Sequence, residues 1–504
     1  MVHWYSTLMD TIKVRNPATG ELAGSVNPAT PSELALTAVQ ARHAQLKWSK
    51  LPFRARAEVI AGFHDRLIDQ SRLILDTIQM ETGKTRRDAL AEVISVAGTA
   101  RYYLAHGQSF LASIRNRGAI PIITRSVLQH RPHGVVGLIT PWNYPFLLGI
   151  ADAVPALLAG NAVVLKPSEL TPLSAILGRS LLIDSGLDPD LFGIAHGAGD
   201  VGRELVRHVD YIGFTGGTVT GRKVALAAAE RLIPFSLELG GKNPMIVLKG
   251  APLKEAAMGL LAGSFSNAGQ TCIAIERVYV EASIFDEFSQ IVAAQTKKLK
   301  LGWSPSWDLD VGSLIHSAHA DKVMGHIEDA VHRGARVLVG ARRRSDLGPA
   351  FVEPTVLTGV NHRASISTEE TFGPVVSLYP VESANEAVVV ANDSDYGLNA
   401  SVWAGGSGEA MDVARQIEAG SVAINSTLMI YNAFDVPMGG IKQSGIGRRH
   451  GEHGILRYTQ EQSIVTSFST AGGYDNMLAK IRSPKLADRL LKVVKLWRRI
   501  PGLR

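Results

Sequence analysis

Residues 135–139 read Val-Val-Gly-Leu-Ile and residues 162–165 read Ala-Val-Val-Leu. Short apolar runs of this kind, rich in β-branched residues, predict buried strands. Segments with helical spacing alternate with strand patterns beyond them, and this alternation predicts a parallel sheet with crossover helices. The elements expected after the first strand are Ala162–Leu165 (strand), Thr171–Ser185 (helix), Phe192–Ala195 (strand), Val201–His208 (helix) and Tyr211–Phe214 (strand).

A second series of strands and helices begins after Gly241. Its expected elements are Pro244–Val247 (strand), Leu253–Phe265 (helix), Val278–Val280 (strand), Phe285–Lys300 and Ala318–Arg333 (helices), and Arg336–Val339 (strand). The first hundred residues instead carry apolar residues at helical spacing, and extended strands are expected from Ile120 to Ile139. The sequence therefore predicts an α/β fold with two α/β domains of similar size.

Length and composition narrow the class of protein. A chain of 504 residues is too long for one hydrophobic core, and 46% apolar with 19% charged residues is ordinary for a globular enzyme. Residues 1–20 lack the pattern of a signal peptide, and no apolar stretch approaches the roughly 20 residues needed to cross a bilayer. We therefore expect a cytoplasmic protein.

The basic charge of the chain is concentrated at its C-terminus. Between Lys480 and Arg504 nine basic residues stand against one acid, whereas the whole chain carries +6. The body is therefore close to neutral, and nucleic acid is not an expected partner. Residues 484–500 place apolar residues on one helical face and cations on the other, which fits a helix on an anionic membrane surface or an arm packed on a neighbouring subunit.

Three segments place a polar residue at a turn directly after an apolar strand or helix. Asn143 follows a buried strand, where open α/β sheets bind ligands, although it could also cap the next helix. Glu238 lies between apolar residues and a Gly-Gly turn, which suggests a general base. Cys272, the single cysteine, is either a buried core residue or a nucleophile; a disulfide and a thiolate-based zinc site are excluded. The segments read Pro141-Trp142-Asn143-Tyr144-Pro145, Glu238-Leu239-Gly240-Gly241-Lys242-Asn243-Pro244 and Phe265-Ser266-Asn267-Ala268-Gly269-Gln270-Thr271-Cys272.

Taken in this order, the three motifs resemble those of the aldehyde dehydrogenase superfamily. The resemblance covers all but the tail, from Asn16 to Glu461. It also rests on Lys166-Pro167-Ser168-Glu169, Phe214-Thr215-Gly216, Glu369-Glu370-Thr371-Phe372-Gly373-Pro374 and Pro437-Met438-Gly439-Gly440-Ile441-Lys442. Within the superfamily the chain resembles an actinobacterial succinate-semialdehyde dehydrogenase-like group.

The resemblance implies an aldehyde dehydrogenase-like domain organisation. It comprises a Rossmann-type dinucleotide-binding domain, an α/β catalytic domain and a small β oligomerisation arm, so that a homodimer or homotetramer is expected. The expected boundaries are 1–113 and 133–240 for the dinucleotide-binding domain, 241–443 for the catalytic domain, 114–132 and 462–470 for the arm, and 474–504 for the basic amphipathic tail.

The resemblance also implies a mechanism and a set of catalytic residues. Cys272 attacks the aldehyde, Asn143 and the Cys272 backbone N–H hold the oxyanion, and Glu238 activates the water that hydrolyses the thioester. Lys166 belongs to the catalytic set as well as to the cofactor contacts. The presence of Glu238 implies hydrolysis rather than transfer to coenzyme A, and no metal is expected.

NAD or NADP is the implied hydride acceptor. Glu169 would bind the adenine ribose and repel a 2′-phosphate, which favours NAD, whereas Lys166 and Ser168 are compatible with NADP. Gly217 stands where the family usually has serine, so one contact near the pyrophosphate is lost. The implied cofactor contacts are Trp142, Lys166, Ser168, Glu169, Phe214, Gly216, Gly217, Leu239, Glu370 and Phe372.

Two interpretations of the substrate remain open. The resemblance points to succinate semialdehyde, but the positions that match carboxylate-binding arginines are Ala151 and Ser266. Together with the apolar loop at residues 428–431, this makes an apolar aliphatic or aromatic aldehyde a close rival to succinate semialdehyde. A catalytically silent scaffold on the same fold is the alternative of another class. A thiol hydrolase without redox chemistry would leave the cofactor motifs unexplained.

Overall fold

The computed structural model of the protein describes residues 11–116, 124–468, 479 and 481–497. The described residues belong to two compact units. The first takes in those of 1–110 and 132–459, and the second those of 111–131 and 460–504.

The first unit opens with a β-hairpin and four helices. The hairpin pairs β1 (Ile12–Arg15) with β2 (Leu22–Val26) in antiparallel fashion and was not predicted. Thr30 and Glu33 form a capping box at the start of the first helix, and Gly83, at φ 72°, ends the third. The helices are α1 (Pro31–Trp48), α2 (Phe53–Asp69), α3 (Ser71–Thr82) and α4 (Arg86–Phe110).

A six-stranded sheet follows, in which β5, β6, β7 and β8 correspond to the first predicted strand series and β9 and β19 were not predicted. Its strands are β5 (Val135–Ile139), β6 (Ala162–Lys166), β7 (Phe192–Ile194), β8 (Tyr211–Thr215), β9 (Phe235–Glu238) and β19 (Gly445–Ile446). The order is β19-β9-β8-β5-β6-β7, and the pairs are parallel except that β19 runs antiparallel to β9. The strand order reverses between β5 and β8, and such a reversal opens a crevice at the carboxyl ends of the strands. The helices of this region are α5 (Pro145–Ile150), α6 (Ala153–Leu158), α7 (Leu173–Ile183), α8 (Gly199–Val206) and α9 (Thr218–Glu230).

A seven-stranded sheet forms the second α/β layer. Its strands are β10 (Asn243–Val247), β11 (Ile275–Glu281), β12 (Arg336–Val339), β13 (Thr355–Thr358), β14 (Val375–Val381), β16 (Asn399–Trp403) and β17 (Ser421–Ile424), in the order β12-β13-β14-β11-β10-β16-β17. Only β12, among these, pairs antiparallel, because a loop rather than a helix connects it to β13. The helices of this region are α10 (Leu253–Phe265), α11 (Ala282–Thr296), α12 (Ser317–His332), α13 (Ser365–Thr368), α14 (Ala384–Asn392) and α15 (Ser407–Ala414).

Three short elements complete the first unit. Two of them, β15 (Tyr396–Gly397) and β18 (Ile441–Lys442), form an antiparallel pair. The third is α16 (Gly451–Leu456). The structure therefore confirms the predicted α/β fold class.

The second unit contains a three-stranded sheet and the tail helix. The sheet has the order β20-β4-β3, from β3 (Ile114–Asn116), β4 (Thr124–Pro132) and β20 (Thr459–Ser467). The tail helix, α17, spans Pro484–Trp497, and the predicted residues 498–500 lie outside the described part of the chain. No helix of the described residues is long and apolar enough to cross a membrane.

Candidate active site

The largest concentration of predicted site residues lies in one open cavity of about 1290 Å³ in the first unit. The strands β5, β8 and β9 supply its walls from their carboxyl ends, as expected for a ligand crevice in an open α/β sheet. Nine predicted site residues line it: Trp142, Asn143, Gly216, Gly217, Glu238, Leu239, Cys272, Glu370 and Phe372.

The loop that carries Cys272 is held in an unusual backbone conformation. Asn267 and Ala268 have φ of 52° and 54°, and Gly269 has φ 73°. A Cβ on Gly269 would lie 2.1 Å from the Gly373 carbonyl oxygen, so only glycine fits there. The Gln270 carboxamide fixes the end of the loop, because its nitrogen donates to the Asn267 carbonyl over 2.9 Å and its oxygen accepts from the Ile315 N–H over 2.8 Å.

A second amide side chain holds the backbone on the other side of the cysteine. Nδ2 of Asn243 donates to the carbonyls of Cys272 and Ala274, each over 2.8 Å. Its Oδ1 accepts from the Asn399 N–H over 3.0 Å. Three strands of the seven-stranded sheet therefore fix the peptide that carries the thiol, since Asn243 begins β10, Asn399 begins β16 and β11 begins just after Ala274.

The Cys272 thiol is in an environment that favours its neutral form. Burial raises its pKa to about 12, and the negative charges of Glu370 and Glu238 act in the same direction. Arg449 and the Ile273 backbone N–H oppose this shift. The sulfur is thus protected from ionisation in the free protein while it faces the cavity.

Asn143 joins the turn after β5 to the cysteine loop. Its Nδ2 donates to the Gln270 carbonyl over 2.8 Å, which leaves one N–H of the carboxamide for a ligand. Its Oδ1 is buried and has no hydrogen-bond partner within the described residues. Tyr144, the next residue, shares a 2.9 Å hydrogen bond with the Thr271 hydroxyl. The geometry places an amide donor beside the thiol.

Glu238 ends β9 and projects a carboxyl group into the same cavity. The residue is 5% exposed, and its Oε1 has no partner among the residues that the structure describes. Burial raises its pKa above the ordinary 4.5, while Arg449 and Arg457 pull the pKa down. A buried carboxyl group with an unpartnered oxygen and a raised pKa has the properties of a general base.

Arg449 belongs to a buried network that the sequence did not reveal as functional. It binds both oxygens of Asp152, at 2.9–3.2 Å, and donates to the Thr215 hydroxyl over 2.6 Å. Thr215 pairs with Glu238 across β8 and β9. The sequence around Arg449 does not indicate this network, because the partners of Arg449 lie some 230 to 300 positions away in sequence.

Glu370 and Phe372 form a further part of the cavity wall. Oε1 of Glu370 accepts from the Gly241 N–H over 2.9 Å, and burial raises the pKa of this carboxyl to about 7. Phe372 has φ 57°, and its ring meets the Trp142 ring edge-on at 5.6 Å. Beneath them the buried pair Lys242–Glu276 was not predicted; Glu276 accepts from the backbone N–H groups of residues 371 and 372 at 3.0–3.1 Å.

The turn after β8 fits a pyrophosphate. Gly216 and Gly217 line the cavity, and Gly217 is the N-cap of α9 without a side-chain capping bond. The open N–H groups of a helix N-terminus bind anions, and space at Gly217 is unobstructed because a Cβ there would meet nothing within 4 Å. The absence of a serine side chain at Gly217 therefore does not change the space at this turn, and the residues fit a dinucleotide.

Four predicted residues lie outside the cavity lining: Lys166, Ser168, Glu169 and Phe214. Lys166 ends β6 at 5% exposure, and its Nζ lies 3.4 Å from Glu169 Oε2. Burial lowers the pKa of Lys166, and Glu169 opposes this shift. Lys166 ends β6, the strand next to β5, and Glu169 follows it. Both residues lie at the same sheet edge as the cavity, where the adenosine half of a dinucleotide would extend. Phe214 is buried within β8.

Part of the cavity lining is apolar, from Leu147, Leu148, Ile273, Leu428 and Tyr431, and the hydrogen-bonded pair Ser95 and Asn432 lines the cavity as well. Among all the lining residues in the described chain, Lys322 alone carries a permanent positive charge, and its Nζ donates to the Glu370 carbonyl over 3.0 Å. Ala151 and Ser266 do not line this cavity. Within the described residues, no group of three or more His, Cys, Asp and Glu side chains is arranged to hold a metal ion.

Comparison with known proteins agrees with this geometry. The aldehyde dehydrogenase family model matches residues 4–464. A Mycolicibacterium smegmatis protein, provisionally named succinate-semialdehyde dehydrogenase [NADP(+)], is 45% identical over 451 residues, which are 89% of this chain and 87% of that protein. A 4,4′-diapolycopene aldehyde oxidase from Methylomonas sp is 38% identical over 93% of this chain and 90% of its own.

Solved structures show the same fold. The aldehyde dehydrogenase of Mycobacterium tuberculosis complexed with NAD+ superposes with a TM-score of 0.87 at 32% identity, over 91% of this chain and 95% of that chain. Sequence and structure agree over nearly the whole length, and the predicted superfamily is confirmed. The chain belongs to the aldehyde dehydrogenase family and is an NAD(P)-dependent aldehyde dehydrogenase.

Proposed function

We propose that this enzyme oxidises apolar aldehydes to carboxylates through a thioester on Cys272. The observation that carries the proposal is the placement of a thiol, an amide donor and a buried carboxyl group in one cavity, from Cys272, Asn143 and Glu238. These three groups suffice for attack, oxyanion stabilisation and hydrolysis.

The proposed chemistry begins at the sulfur. The Cys272 thiol releases its proton to water in the open cavity, the resulting thiolate forms a C–S bond to the aldehyde carbon, and the carbonyl electron pair moves to oxygen. The free N–H of the Asn143 carboxamide and the Cys272 backbone N–H stabilise this oxyanion. A nicotinamide dinucleotide held by Glu370, Phe372 and the Gly216-Gly217 turn would supply the hydride acceptor. Loss of hydride re-forms the C=O bond and leaves the acyl group on the Cys272 sulfur as a thioester.

Hydrolysis follows at the same carbon. Glu238 takes a proton from a water molecule, the resulting hydroxyl attacks the thioester, and the C–S bond breaks to release the carboxylate. The unpartnered Oε1 supports this role, because a carboxylate oxygen already engaged in a hydrogen bond would be a weaker base. No separate acceptor of the acyl group is required.

The substrate proposed is an apolar aliphatic or aromatic aldehyde. Much of the lining is apolar, and Lys322, the one lysine among the lining residues that the structure describes, donates to the Glu370 carbonyl, so the distal carboxylate of succinate semialdehyde would lack a free cation. The diapolycopene aldehyde named for the Methylomonas relative is a further reason to include long apolar aldehydes. Succinate semialdehyde, from the mycobacterial relative's name, is the rival candidate.

The proposed cofactor preference is for NAD. Glu169 is partly exposed and would place a carboxylate beside the adenine ribose, where it accepts a hydrogen bond from a 2′-hydroxyl and repels a 2′-phosphate. Lys166 lies 3.4 Å from this carboxylate, which offsets the positive charge that a 2′-phosphate would need. The name of the mycobacterial relative specifies NADP(+) instead. The ratio of kcat/KM for NAD to that for NADP would measure the cofactor preference. Glu169→Gln is expected to shift this ratio toward NADP.

The domain roles proposed follow the two sheets. Residues 1–113 and 133–240, which contain five strands of the six-stranded sheet, bind the dinucleotide, and residues 241–443 supply the catalytic cysteine. Residues 114–132 and 462–470 are proposed as an oligomerisation arm of a homodimer or homotetramer. The enzyme is proposed to be cytoplasmic.

The tail helix α17 is proposed to contact an anionic membrane surface. Leu486, Val493 and Val494 lie on one face of the helix and are 41–57% exposed, and cations occupy the other side of the helix. Apolar residues of this size on one face and lysine and arginine on the other are the features of a helix that lies in a lipid interface. Packing on a neighbouring subunit is the alternative.

Glu238→Gln tests the hydrolytic half of the mechanism. With a saturating aldehyde and NAD(P), the variant is expected to release one equivalent of reduced cofactor and to hold the acyl group on Cys272. Intact-protein mass spectrometry would show the added acyl mass. Multiple turnovers at the wild-type rate would contradict the role of Glu238.

A further inference from the structure

A buried ion pair lies beneath the turn that carries Asn143. The side chains of Lys84 and Glu92 are both 0% exposed, and Lys84 Nζ donates to Glu92 Oε1 over 2.6 Å. A pair removed from water in this way is costly unless other hydrogen bonds satisfy its remaining atoms. Those further bonds all lead to the turn between β5 and α5.

Lys84 holds the carbonyl of Asn143. Its Nζ donates to that oxygen over 2.7 Å, and the same oxygen accepts from Asn267 Nδ2 over 2.9 Å. The ammonium also lies 4.2 Å from the centroid of the Tyr144 ring. Two donors on one carbonyl fix the peptide plane between residues 143 and 144.

Glu92 holds the other end of the turn. Its Oε2 accepts from the backbone N–H groups of Phe146 and Leu147, both over 3.0 Å. These are free donors of the first turn of α5, which has no side-chain cap of its own. One carboxylate therefore joins the start of α5 to Lys84, and the pair spans the turn from residue 143 to residue 147.

The same stretch of chain also reaches the cysteine loop. Asp88 and Glu92 lie four residues apart on one side of α4, and Lys84 lies two residues before that helix. It interacts with the Asn267 backbone N–H and accepts from the Thr85 hydroxyl over 2.7 Å. The segment from residue 84 to residue 92 thus supports both loops that carry the proposed oxyanion donors.

We infer that Lys84 is a positioning residue for the oxyanion site: with Glu92 it fixes the Asn143 turn, so that the Asn143 carboxamide points at the substrate oxygen. The inference rests on the proposed role of Asn143 and assigns to Lys84 no contact with substrate or cofactor. Lys84 acts on the rate of the chemical step only through Asn143.

A double-mutant cycle between residues 84 and 143 tests this inference. Lys84→Met in the full-length enzyme is expected to lower kcat about 10- to 10²-fold, because small displacements of a catalytic group have effects of this size. In an Asn143→Ala background the same change is expected to lower kcat less than about twofold. Equal losses in both backgrounds would mean a general structural role and would overturn the inference, as would an unchanged kcat in Lys84→Met.

Two further comparisons separate the possible failures. If Asn143→Ala alone leaves kcat unchanged, the proposed role of Asn143 fails and this inference fails with it. If Asn143→Ala is impaired while Lys84→Met is not, only the inference fails. Lys47→Met, an exposed lysine in α1, is the matched control.

A double variant keeps the inference testable if Lys84→Met does not fold. Lys84→Met/Glu92→Gln leaves no unpaired buried charge, so it is expected to fold even if Lys84→Met does not. The double variant must show the same dependence on Asn143, with a loss of kcat in the wild-type background and almost none with Asn143→Ala. An unchanged kcat or additive losses would overturn the inference.

Discussion

The Asn143 carboxamide donates a 2.8 Å hydrogen bond to the Gln270 carbonyl, two residues before the nucleophile proposed for this enzyme. This bond joins the six-stranded sheet, through the turn after β5, to the loop that precedes β11 of the seven-stranded sheet. The proposed oxyanion site is therefore assembled from the two layers, and its geometry depends on how each loop is held.

Asn143→Ala is expected to reduce kcat on the order of 10²-fold, the usual cost of one lost oxyanion donor. KM for NAD(P) is expected to stay near its wild-type value, because Asn143 is assigned to the aldehyde oxygen. Steady-state kinetics would measure both, with Asn361→Ala in an exposed loop as the control. A change confined to the cofactor KM would contradict the assignment.

Glu238 should impose a pH dependence on hydrolysis. Its pKa is raised above 4.5 by burial, and its basic form is present only above that raised pKa. The rate of thioester hydrolysis is therefore expected to rise with pH on a limb that lies above the ordinary carboxyl range. Single-turnover measurements across pH would show the limb in the wild type, and its persistence in Glu238→Gln would refute the assignment.

Alkylation of the free enzyme should report the Cys272 thiol alone, since the chain has one cysteine. Burial raises its pKa to about 12, so the thiolate fraction grows roughly tenfold for each pH unit between 7 and 10. The rate of reaction with iodoacetamide is expected to follow that rise without a plateau. A plateau below pH 9 would show that the thiol ionises more easily than its surroundings indicate, and Cys272→Ser supplies the blank.

Substitution of Lys242 is expected to weaken cofactor binding. It pairs with Glu276, which holds the backbone of residues 371 and 372 beside Glu370. Lys242→Met/Glu276→Gln removes this support without leaving an unpaired charge, and KM for NAD(P) is expected to rise about tenfold or more, with a smaller change in kcat at saturation. Lys249→Met is the exposed control. A loss of kcat at an unchanged cofactor KM would argue against this reading of the pair.

Removal of the tail should separate membrane binding from catalysis. Deletion of the residues after Gly473 is expected to abolish sedimentation with phosphatidylserine-containing liposomes and to leave kcat with a water-soluble aldehyde unchanged. Neutral liposomes are the control, because the proposed attraction depends on anionic lipid. Equal liposome binding with and without the tail would exclude the membrane role and favour the subunit arm.

Local sequence patterns predicted much of the fold. The helix expected at Leu253–Phe265 has those bounds, and the expected strands at Ala162 and Tyr211 extend only one residue further. These elements were predicted correctly because the spacing of apolar residues depends on which side chains are buried, and the apolar residues of these elements are buried. The direction of a strand in its sheet does not follow from the spacing of apolar residues. Arg336–Val339 has a strand pattern, but its antiparallel pairing depends on the loop that follows it.

The site was predicted in part for a related reason. Asn143, Glu238 and Cys272 each lie at a turn with its own sequence signature, and they meet in one cavity. Lys84, Glu92 and Arg449 have no such signature. A charged residue is usually solvated. Glu92 lies in α4 and Lys84 two residues before that helix, and the packing of α4 against α5 and α6 shows that both are buried; the burial of Arg449, which precedes α16, is likewise seen only in the structure.

The most direct test of the account is absorbance at 340 nm, with purified enzyme, NAD or NADP, and a panel of succinate semialdehyde, hexanal, decanal and benzaldehyde, beside Cys272→Ala. The account predicts turnover that is fastest with an apolar aldehyde and is lost in Cys272→Ala. Undiminished turnover in Cys272→Ala would contradict the central claim that this residue is the nucleophile, and succinate semialdehyde as the best substrate would contradict the apolar pocket.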